Sequence, residues 1–437
     1  MFDSKLPHVE VRKTASLRGA IDLPSSKSTS TRAILTAALT QGDCIIKNMA
    51  TGFNTIAMRS NVERLGATFS SHNDETHVRG INIKSIDEKI FFDPGNSGVV
   101  LRLLMGVSAM LNEVEFTTEY KHSLAVRSQG EMVRALRKLG VVCEATGTDS
   151  RLPISMKSNR QIGKYTEVSC RKSSQFLSGL LYLGGLSETD LEIKVVDSIT
   201  APAMVHTTIN NLRHAGIDIE YDASFRNFLI KGSSSFRPTN FTVGADPAST
   251  AAILSLCSSL PSDVILNGFF EEELGSGAVI QYLTATGAEI RELENHRIQV
   301  LGGTEVKAGD FDGSIAPDAV PALAARAVFA DGTSTFHNIE HIRYKESDRI
   351  SDFRQEVAKL GIRTEEEQDQ LIIHGNPNGY RGGVSLNSHF DHGLIMAFTT
   401  IGLHCKEPVL INDPHHVGQT YPEYFKHIIS IGANVEQ

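Results

Sequence analysis

The chain has 437 residues, more than one hydrophobic core usually supports, so two domains are expected. Hydrophobic residues make up 41% and charged residues 21%, and the apolar runs are short and interrupted, which excludes a membrane-spanning segment. The formal net charge of −9 argues against nucleic acid as a partner, because binding to a phosphate backbone needs a broad basic surface.

The cysteine pattern and the N-terminal sequence both bear on the cellular compartment. Five scattered cysteines, odd in number and never in a CxxC pair, are typical of reduced core residues. The first seven residues, Met1–Pro7, carry no apolar segment of the kind found in a secretory signal. We therefore expect a cytoplasmic protein without a membrane partner, acting as a monomer.

A pattern of an apolar helix that ends at glycine, followed by a short strand, recurs along the chain. The glycines are Gly66, Gly140, Gly216, Gly287, Gly361 and Gly432, at intervals of 74, 76, 71, 74 and 71 residues. Each is the usual left-handed end of a helix, and the second strand that follows predicts a hairpin. Helix starts near Ser28, Gly98, Ser174, Ser249, Asp318 and His392 keep the same step. The sequence therefore predicts six repeated units of helix, strand, helix and hairpin.

The last unit lacks a full hairpin, and the extended N-terminal stretches Val9–Val11 and Leu17–Leu23 could supply its missing strand. On that basis residues 1–24 with 244–437 would form lobe I, made of units four to six. Residues 25–243 would form lobe II, made of units one to three. We expect the two lobes to face a cleft that closes on ligands.

The first motif in chain order is the hydroxyl-rich turn Leu23–Arg32. It places Lys27 and Arg32 at the start of a helix. Hydroxyls, exposed N–H groups and two cations suit a phosphate, although the glycine spacing of a Walker loop is missing. An ordinary Ser/Thr helix cap would explain the hydroxyls without any ligand.

Two further turns precede helices in the same half of the chain. The glycines of Asp93–Gly98 let the backbone approach a bound molecule, although a plain turn explains them equally well. Arg127 opens the next helix and would be unremarkable alone. Arg171–Leu177 repeats the cations, hydroxyls and amide at an apolar helix start, where serine caps are common.

The second half of the chain supplies carboxylates. Asp318 stands at a helix N-terminus, where a lone aspartate is normally a cap. The segment Tyr344–Arg349 has two cations, two carboxylates and a hydroxyl, and at helical spacing Lys345 and Arg349 would share one face. A solvated ion-pair surface is the alternative for this segment. Asp318 and Glu346 beside cations would form an acid and base pair.

Several histidines near the C-terminus raise the question of a metal. Their spacing fits no HExxH pattern and no cysteine accompanies them. We therefore expect neither a metal site nor a cofactor. The histidines concerned are His389, His392, His404, His415 and His416.

Taken together, these motifs resemble those of the enolpyruvyl transferases. The resemblance runs from about Val9 to the end and is most specific at Ser-Ser-Gln-Phe-Leu (173–177) and Lys-Glu-Ser-Asp-Arg (345–349). It implies a two-lobed inside-out α/β barrel, with three repeated units of helices on a small sheet in each lobe. It also implies transfer of the enolpyruvyl group of phosphoenolpyruvate to a phosphorylated acceptor, by analogy shikimate 3-phosphate. A different acceptor such as a nucleotide, or a silent anion-binding homologue, is the alternative.

The resemblance also implies the site residues. The catalytic residues would be Lys27, Asp318 and Glu346. The acceptor would meet Ser28, Arg32, Ser173, Ser174, Gln175, Thr200 and Lys345. Phosphoenolpyruvate would meet Lys27, Asn96, Gly98, Arg127, Gln175 and Arg349.

Four positions depart from the family pattern. Gly393 stands where an arginine is usual and Gln419 where a lysine is usual, so two cations of the phosphoenolpyruvate site are missing. On the acceptor side Ala203 replaces a common tyrosine and Thr200 a serine. Three explanations follow: compensation by groups such as His415 and His416, a different donor or acceptor, or loss of catalysis.

Overall fold

The computed structural model describes residues 7–269, 275–303 and 305–436. The chain divides into two compact units. Residues Ser25–Val243 form one, called the central unit here. Met1–Pro24 and Gly244–Gln437 contribute the other, the terminal unit. Strands β1 (His8–Val11) and β2 (Leu17–Asp22) belong to the terminal unit.

The central unit repeats helix, strand, helix and hairpin three times. Its elements are α1 (Lys27–Leu39), β3 (Asp43–Lys47), α2 (Phe53–Arg64), β4 (Thr68–His72), β5 (Glu75–Arg79), β6 (Ile90–Phe92), α3 (Gly98–Val107), β7 (Glu113–Phe116), α4 (Gly130–Lys138), β8 (Val142–Thr146), β9 (Arg151–Lys157), β10 (Tyr165–Val168), α5 (Gln175–Leu186), β11 (Leu191–Val195), α6 (Pro202–His214), β12 (Ile219–Tyr221), β13 (Asn227–Ile230) and β14 (Asn240–Thr242). Short 3₁₀ helices lie at Ile83–Ser85, Ser108–Met110 and Leu124–Val126.

The terminal unit follows the same plan. Its further elements are α7 (Pro247–Ser259), β15 (Ser262–Asn267), α8 (Ser276–Ala285), β16 (Glu289–Leu293), β17 (Arg297–Gly302), β18 (Asp310–Asp312), α9 (Val320–Ala327), β19 (Thr333–His337), α10 (Ser351–Ala358), β20 (Arg363–Glu366), β21 (Leu371–His374), β22 (Ser385–Leu386), α11 (His392–Gly402), β23 (Val409–Asn412), α12 (Tyr424–Ser430) and β24 (Val435–Glu436). Its 3₁₀ helices are Pro317–Ala319, Glu340–Tyr344 and Pro414–Gln419.

The described strands form six four-stranded sheets, three in each unit. In the central unit their orders are β14-β3-β5-β4, β6-β7-β9-β8 and β10-β11-β13-β12; in the terminal unit they are β2-β15-β17-β16, β18-β19-β21-β20 and β22-β23-β1-β24. Each sheet begins with a parallel pair and continues antiparallel. The N-terminal strand β1 lies between β23 and β24, with His8 opposite Asn412 and Val11 opposite Val435.

The first helix of each repeat lies inside its unit. Every residue of α3, α9 and α11 is buried, as is nearly all of α1, α5 and α7. Helices that are apolar or small on all sides need burial on all sides, and the sheets outside them provide it. The predicted inside-out α/β architecture of three repeats per unit is therefore confirmed.

Two smaller expectations also concern the interior. The five cysteines are free and buried, as predicted for core residues. All six glycines predicted to end helices have positive φ, between 78° and 106°, which other residues adopt only with strain.

Among the residues described, no helix combines the length and apolar character that crossing a membrane requires.

The contact between α3 and α5 in the central unit depends on two glycines. A Cβ on Gly106 of α3 would lie 2.0 Å from the carbonyl oxygen of Gly179 in α5. We expect Gly106→Ala to destabilise the protein by about 1–3 kcal/mol, because backbone cannot yield as a flexible side chain can. Urea unfolding measures this. Gly163→Ala, whose Cβ would meet neighbours no closer than 3.5 Å, is the matched control, and equal midpoints would contradict the prediction.

Candidate active site

In the terminal unit, three carboxylates surround the guanidinium of Arg349. Its Nη1 donates to Asp318 Oδ1 at 2.8 Å, and its Nη2 donates to Glu346 Oε2 at 3.1 Å. Its Nε and Nη2 donate to the two oxygens of Asp391 at 2.8 and 3.0 Å. We call Asp318, Glu346 and Asp391 the carboxylate cluster.

Different elements bring these groups together. Asp318 belongs to the 3₁₀ helix that leads into α9, and Asp391 is the N-cap of α11. Lys345 and Arg349 both contact Asp318, Lys345 through its Nζ at 3.2 Å. The helical spacing predicted for these two residues is wrong, because α10 begins only at Ser351. Instead, the segment that carries Lys345 and Arg349 is irregular, and both side chains contact the carboxylate of Asp318.

Burial makes these contacts strong. The side chain of Arg349 is 1% exposed and that of Asp391 is 0% exposed, whereas Asp318 is 36% exposed. Burial by itself lowers the pKa of Arg349, but the carboxylates of Asp391, Glu346 and Asp318 raise it above its usual value. Burial likewise raises the pKa of Asp391, but the charge of Arg349 lowers it overall. Both groups therefore stay charged near neutral pH.

The backbone around Asp391 fits this arrangement. Its Oδ1 accepts from the N–H of Gly393 at 2.7 Å, and its Oδ2 accepts from the Ser347 hydroxyl at 2.9 Å. A Cβ at position 393 would lie 3.4 Å from the guanidinium carbon of Arg349. Arg349 thus lies against the start of α11, at van der Waals distance from position 393.

Glu346, Asp391 and His392 could together offer ligand atoms to a metal ion. Arg349 already donates to both carboxylates, so a cation there would compete with the guanidinium. Salt bridges to arginine account for the cluster without a metal.

The second departure, Gln419, is buried. Its Nε2 donates to the carbonyl of Phe390 at 3.0 Å and lies 3.3 Å from Nδ1 of His416. Burial, and then the neighbouring His415, lower the pKa of His416 to about 4. His416 is therefore neutral near pH 7 and does not carry the positive charge of the lysine that is usual in place of Gln419.

Three buried histidines predict acid sensitivity. Burial is the first cause that lowers the pKa of His341, His404 and His416 to about 4. Between pH 6.5 and 4 the unfolded chain takes up protons that the folded chain does not, so stability is present above pH 6.5 and lost as the pH falls. Each histidine contributes up to about 3 kcal/mol of this loss. Unfolding midpoints measured across that range test this, and a flat profile would contradict it.

In the central unit, a buried arginine lies among several of the residues predicted for the site. Nη1 of Arg102 donates to Ser173 Oγ at 3.1 Å and to Gln175 Oε1 at 2.8 Å. Its Nε donates to Gln129 Oε1 at 3.1 Å, and its guanidinium lies 4.6 Å from the ring centre of Phe176. Arg102 was not predicted. A single cation inside the otherwise apolar helix α3 was the sequence signal for it.

The start of α3 adjoins this group. A Cβ on Gly98 would lie 3.3 Å from Nη1 of Arg102, 3.4 Å from Nη1 of Arg127 and 3.5 Å from Oε1 of Gln175. Gly98, Arg127, Ser173 and Gln175 therefore converge around Arg102. A side chain at position 98 would have to share this space with the ends of three polar side chains.

Asn96 precedes Gly98 and is buried. Its Oδ1 accepts from the N–H of Leu124 at 3.2 Å. Its Nδ2 is also buried and has no hydrogen-bond partner among the described residues. A buried donor of this kind is costly unless something accepts from it.

Helix capping does not account for two of the predicted hydroxyls, those of Ser28 and Ser174. Ser26, rather than Ser28, caps α1 by accepting from the N–H of Thr29 at 3.2 Å. Ser174 precedes α5 without a capping hydrogen bond from its side chain. Ser28 and Lys27 instead lie in the first turn of α1.

Arg32 is fully buried in the central unit. It donates to the hydroxyls of Thr208 at 2.7 Å and Ser178 at 3.5 Å, and to the carbonyl of Ser28 at 2.9 Å. Burial lowers the pKa of Arg32 to about 10, and no carboxylate is paired with it among the ion pairs of the described residues. Thr200, also predicted as acceptor-binding, donates its hydroxyl to the carbonyl of Arg171 at 2.6 Å.

Comparison with known proteins identifies relatives along the whole chain. The family model described as EPSP synthase (3-phosphoshikimate 1-carboxyvinyltransferase) matches residues 11–428. A curated 3-phosphoshikimate 1-carboxyvinyltransferase from Burkholderia pseudomallei is 69% identical over 428 residues, covering 98% of this chain and 95% of the relative. A relative of the same name from Deinococcus radiodurans is 35% identical, with 98% and 96% covered.

A solved structure agrees with these relatives. An EPSP synthase from Acinetobacter baumannii matches with a TM-score of 0.80 at 23% identity, over 98% of this chain and 99% of that chain, which shows a shared fold. The resemblance predicted from the sequence motifs is confirmed, and the chain belongs to the EPSP synthase family.

Proposed function

We propose that the protein transfers the enolpyruvyl group of phosphoenolpyruvate to a hydroxyl of shikimate 3-phosphate, releasing phosphate. The observation that carries this proposal is the contact of one guanidinium, that of Arg349, with both Asp318 and Glu346. The names of the two relatives support this acceptor over a nucleotide, and they support an enzyme over a silent binding protein.

The reaction sets the requirements for the site. The methylene carbon of phosphoenolpyruvate takes a proton, which leaves C2 cationic. The acceptor hydroxyl loses its proton to a base and adds to C2, giving a tetrahedral ketal. Loss of a proton from the new methyl group re-forms the double bond as the C2–O bond to phosphate breaks. One group must give and retrieve a carbon-bound proton, a second must accept the hydroxyl proton, and cations must hold the phosphate.

The two carboxylates suit different proton transfers. The side chain of Glu346 is 12% exposed and that of Asp318 is 36% exposed. The more sheltered Glu346 is the proposed group for the carbon proton, because exclusion of water protects such a step. Asp318 is the proposed base for the acceptor hydroxyl. Lys27, at the start of α1, is proposed to stabilise the leaving phosphate.

Phosphoenolpyruvate carries both a carboxylate and a phosphate, so its partners should be donors. Asn96, Gly98, Arg127, Gln175 and Arg349 are proposed for this role. The buried Nδ2 of Asn96 is a donor without a partner among the described residues, and a ligand oxygen would satisfy it. The guanidinium of Arg127 lies beside Gly98, the first residue of α3, where the positive end of the helix dipole also favours an anion.

The proposed acceptor site centres on hydroxyls. Ser173 Oγ accepts from both Arg102 at 3.1 Å and the N–H of Gln175 at 3.3 Å. With its acceptor positions used, its own hydrogen is available to donate to the acceptor's phosphate. Ser174 and Lys345 are proposed for the same phosphate. Ser28, Arg32 and Thr200 are proposed for the acceptor's other polar groups, where the buried charge of Arg32 favours an anion.

The organisation of the working protein is also part of the proposal. The central and terminal units would act as the two lobes expected from the sequence. The protein would act as a monomer in the cytoplasm, where its five free, buried cysteines stay reduced. Gel filtration tests the oligomeric state. A monomer should elute as a single species of about 48 kDa, because the chain mass is 47.6 kDa.

The test is phosphate release from phosphoenolpyruvate with three acceptors in parallel: shikimate 3-phosphate, unphosphorylated shikimate and a nucleoside monophosphate. We expect release with shikimate 3-phosphate and much slower release with the others. Asp318→Ala and Glu346→Ala are the controls. A wild-type rate equal to that of the controls would refute enolpyruvyl transfer, and faster release with the nucleotide would refute the proposed acceptor.

A further inference from the structure

The loop before α5, residues Ser169–Ser174, is tied to the loop after β11, and a carboxylate makes the tie. Asp197 Oδ1 accepts from the backbone N–H of Cys170 at 2.9 Å, and its Oδ2 accepts from the Ser169 hydroxyl. Hydrogen bonds that involve an ionised group are stronger than neutral ones. Asp197 therefore holds the first two residues of the Ser169–Ser174 loop.

Thr200 extends this tie toward the serines. Its hydroxyl donates to the carbonyl of Arg171 at 2.6 Å, and its N–H donates to the carbonyl of Cys170 at 3.3 Å. Four hydrogen bonds thus run between residues 197–200 and three consecutive residues of the loop. Ser173 lies two residues after Arg171, the last residue held in this way, and Ser174 follows it.

The loop after β11 is itself held in a costly conformation. Ala201, its last residue before α6, has φ 50° and ψ 63°, a left-handed conformation that alanine rarely adopts. Such strain costs on the order of 1–3 kcal/mol and persists only where surrounding contacts fix the backbone. The hydrogen bonds of Asp197 and Thr200 are contacts of that kind.

In two other repeats the equivalent loop, which follows β7 or β19, supplies the hydrogen-bond donor rather than the acceptor. In the second repeat the Thr118 hydroxyl donates to the carbonyl of Gly95 at 2.7 Å. In the fifth the Asn338 amide donates to Asp312 Oδ2 at 3.1 Å. In the third repeat the loop after the strand supplies an acceptor carboxylate instead, beside the proposed phosphate-binding serines.

We propose that Asp197 is a positioning residue for the acceptor site, which it serves by fixing the Ser169–Ser174 loop so that Ser173 and Ser174 meet the acceptor's phosphate. This inference rests on the proposed function. Asp197 acts through the loop and is not itself proposed to touch the substrate. Its loss should weaken acceptor binding more than it slows the chemical step.

The test compares Asp197→Ala with Asp190→Ala. Asp190 lies just before β11, whereas Asp197 lies just after it. Asp190 Oδ1 accepts from the N–H of Gly232 at 3.0 Å, so Asp190 makes a similar tie at the opposite end of the strand. We expect Asp197→Ala to raise the KM for shikimate 3-phosphate by about tenfold or more, equivalent to one lost charge-assisted hydrogen bond. We expect kcat to change by less than about threefold, and Asp190→Ala to leave both constants unchanged.

A second variant and a second measurement guard against simple loss of folding. Asp197→Asn keeps an acceptor for the Cys170 N–H and should raise the KM by a smaller factor than Asp197→Ala. Hydrogen exchange should be faster in residues 169–174 of Asp197→Ala and unchanged there in Asp190→Ala. Faster exchange with an unchanged KM would overturn the positioning role, as would equal KM values in the Asp197→Ala and Asp190→Ala variants.

The outcome for the wild type separates this inference from the proposed function. Phosphate release by the wild type with a normal KM in Asp197→Ala would remove the inference alone. No release by the wild type would remove the proposed function and the inference with it.

Discussion

Replacing Arg349 with methionine is expected to destabilise the protein by about 3–5 kcal/mol and to abolish phosphate release. The guanidinium lies 2.8 Å from an oxygen of Asp391, and both side chains are at most 1% exposed. Its removal leaves Asp391 buried and without its cation, and it takes the same partner from Asp318 and Glu346. Urea unfolding measures the first effect and the phosphate assay the second.

Two control variants distinguish the stability lost by leaving a buried charge without its partner from the stability lost by removing a side chain. The double variant Arg349→Met/Asp391→Asn should recover part of the lost stability, because no uncompensated carboxylate remains at that position. Arg381→Met breaks an exposed pair with Glu407 and should change stability by less than about 0.5 kcal/mol. A loss below 1 kcal/mol in Arg349→Met would contradict the account of the cluster.

The second large effect is expected for Glu346→Gln and Asp318→Asn, which should each lower kcat by about 10²- to 10⁴-fold. Each amide keeps the shape of the carboxylate and an oxygen that can accept from Arg349, but it cannot carry a proton. The KM values should change much less than kcat. Steady-state kinetics measures both constants, and a fall of less than threefold in either variant would rule out that residue as a proton carrier.

The repeat architecture was predictable because local chemistry determines it. The six helix-ending glycines adopt the left-handed conformation expected of them, and α3 and α11 begin at the predicted residues, Gly98 and His392. Both features depend on short-range geometry and on the alternation of polar and apolar residues. Helix ends and helix starts of the same kind therefore appear in each repeat that has the same few residues at the same positions.

The details of the site depend on contacts between distant parts of the chain, and here the sequence was less informative. The charges of segment 345–349 have a helical spacing, but its backbone is irregular. It is irregular because Arg349 contacts Asp318 and Asp391, which belong to other elements. Arg102 was missed because a lone cation in an apolar helix reveals its partners, Ser173 and Gln175, only once α3 and α5 pack together.

Glu346, one member of the carboxylate cluster, is proposed to move a proton onto and off the methylene carbon of phosphoenolpyruvate. The most direct test of this central claim is deuterium uptake by that methylene group in D₂O with shikimate 3-phosphate present, followed by NMR. The account predicts uptake with the wild type and none above background with Glu346→Gln. Uptake by Glu346→Gln at the wild-type rate, or none by the wild type, would contradict it.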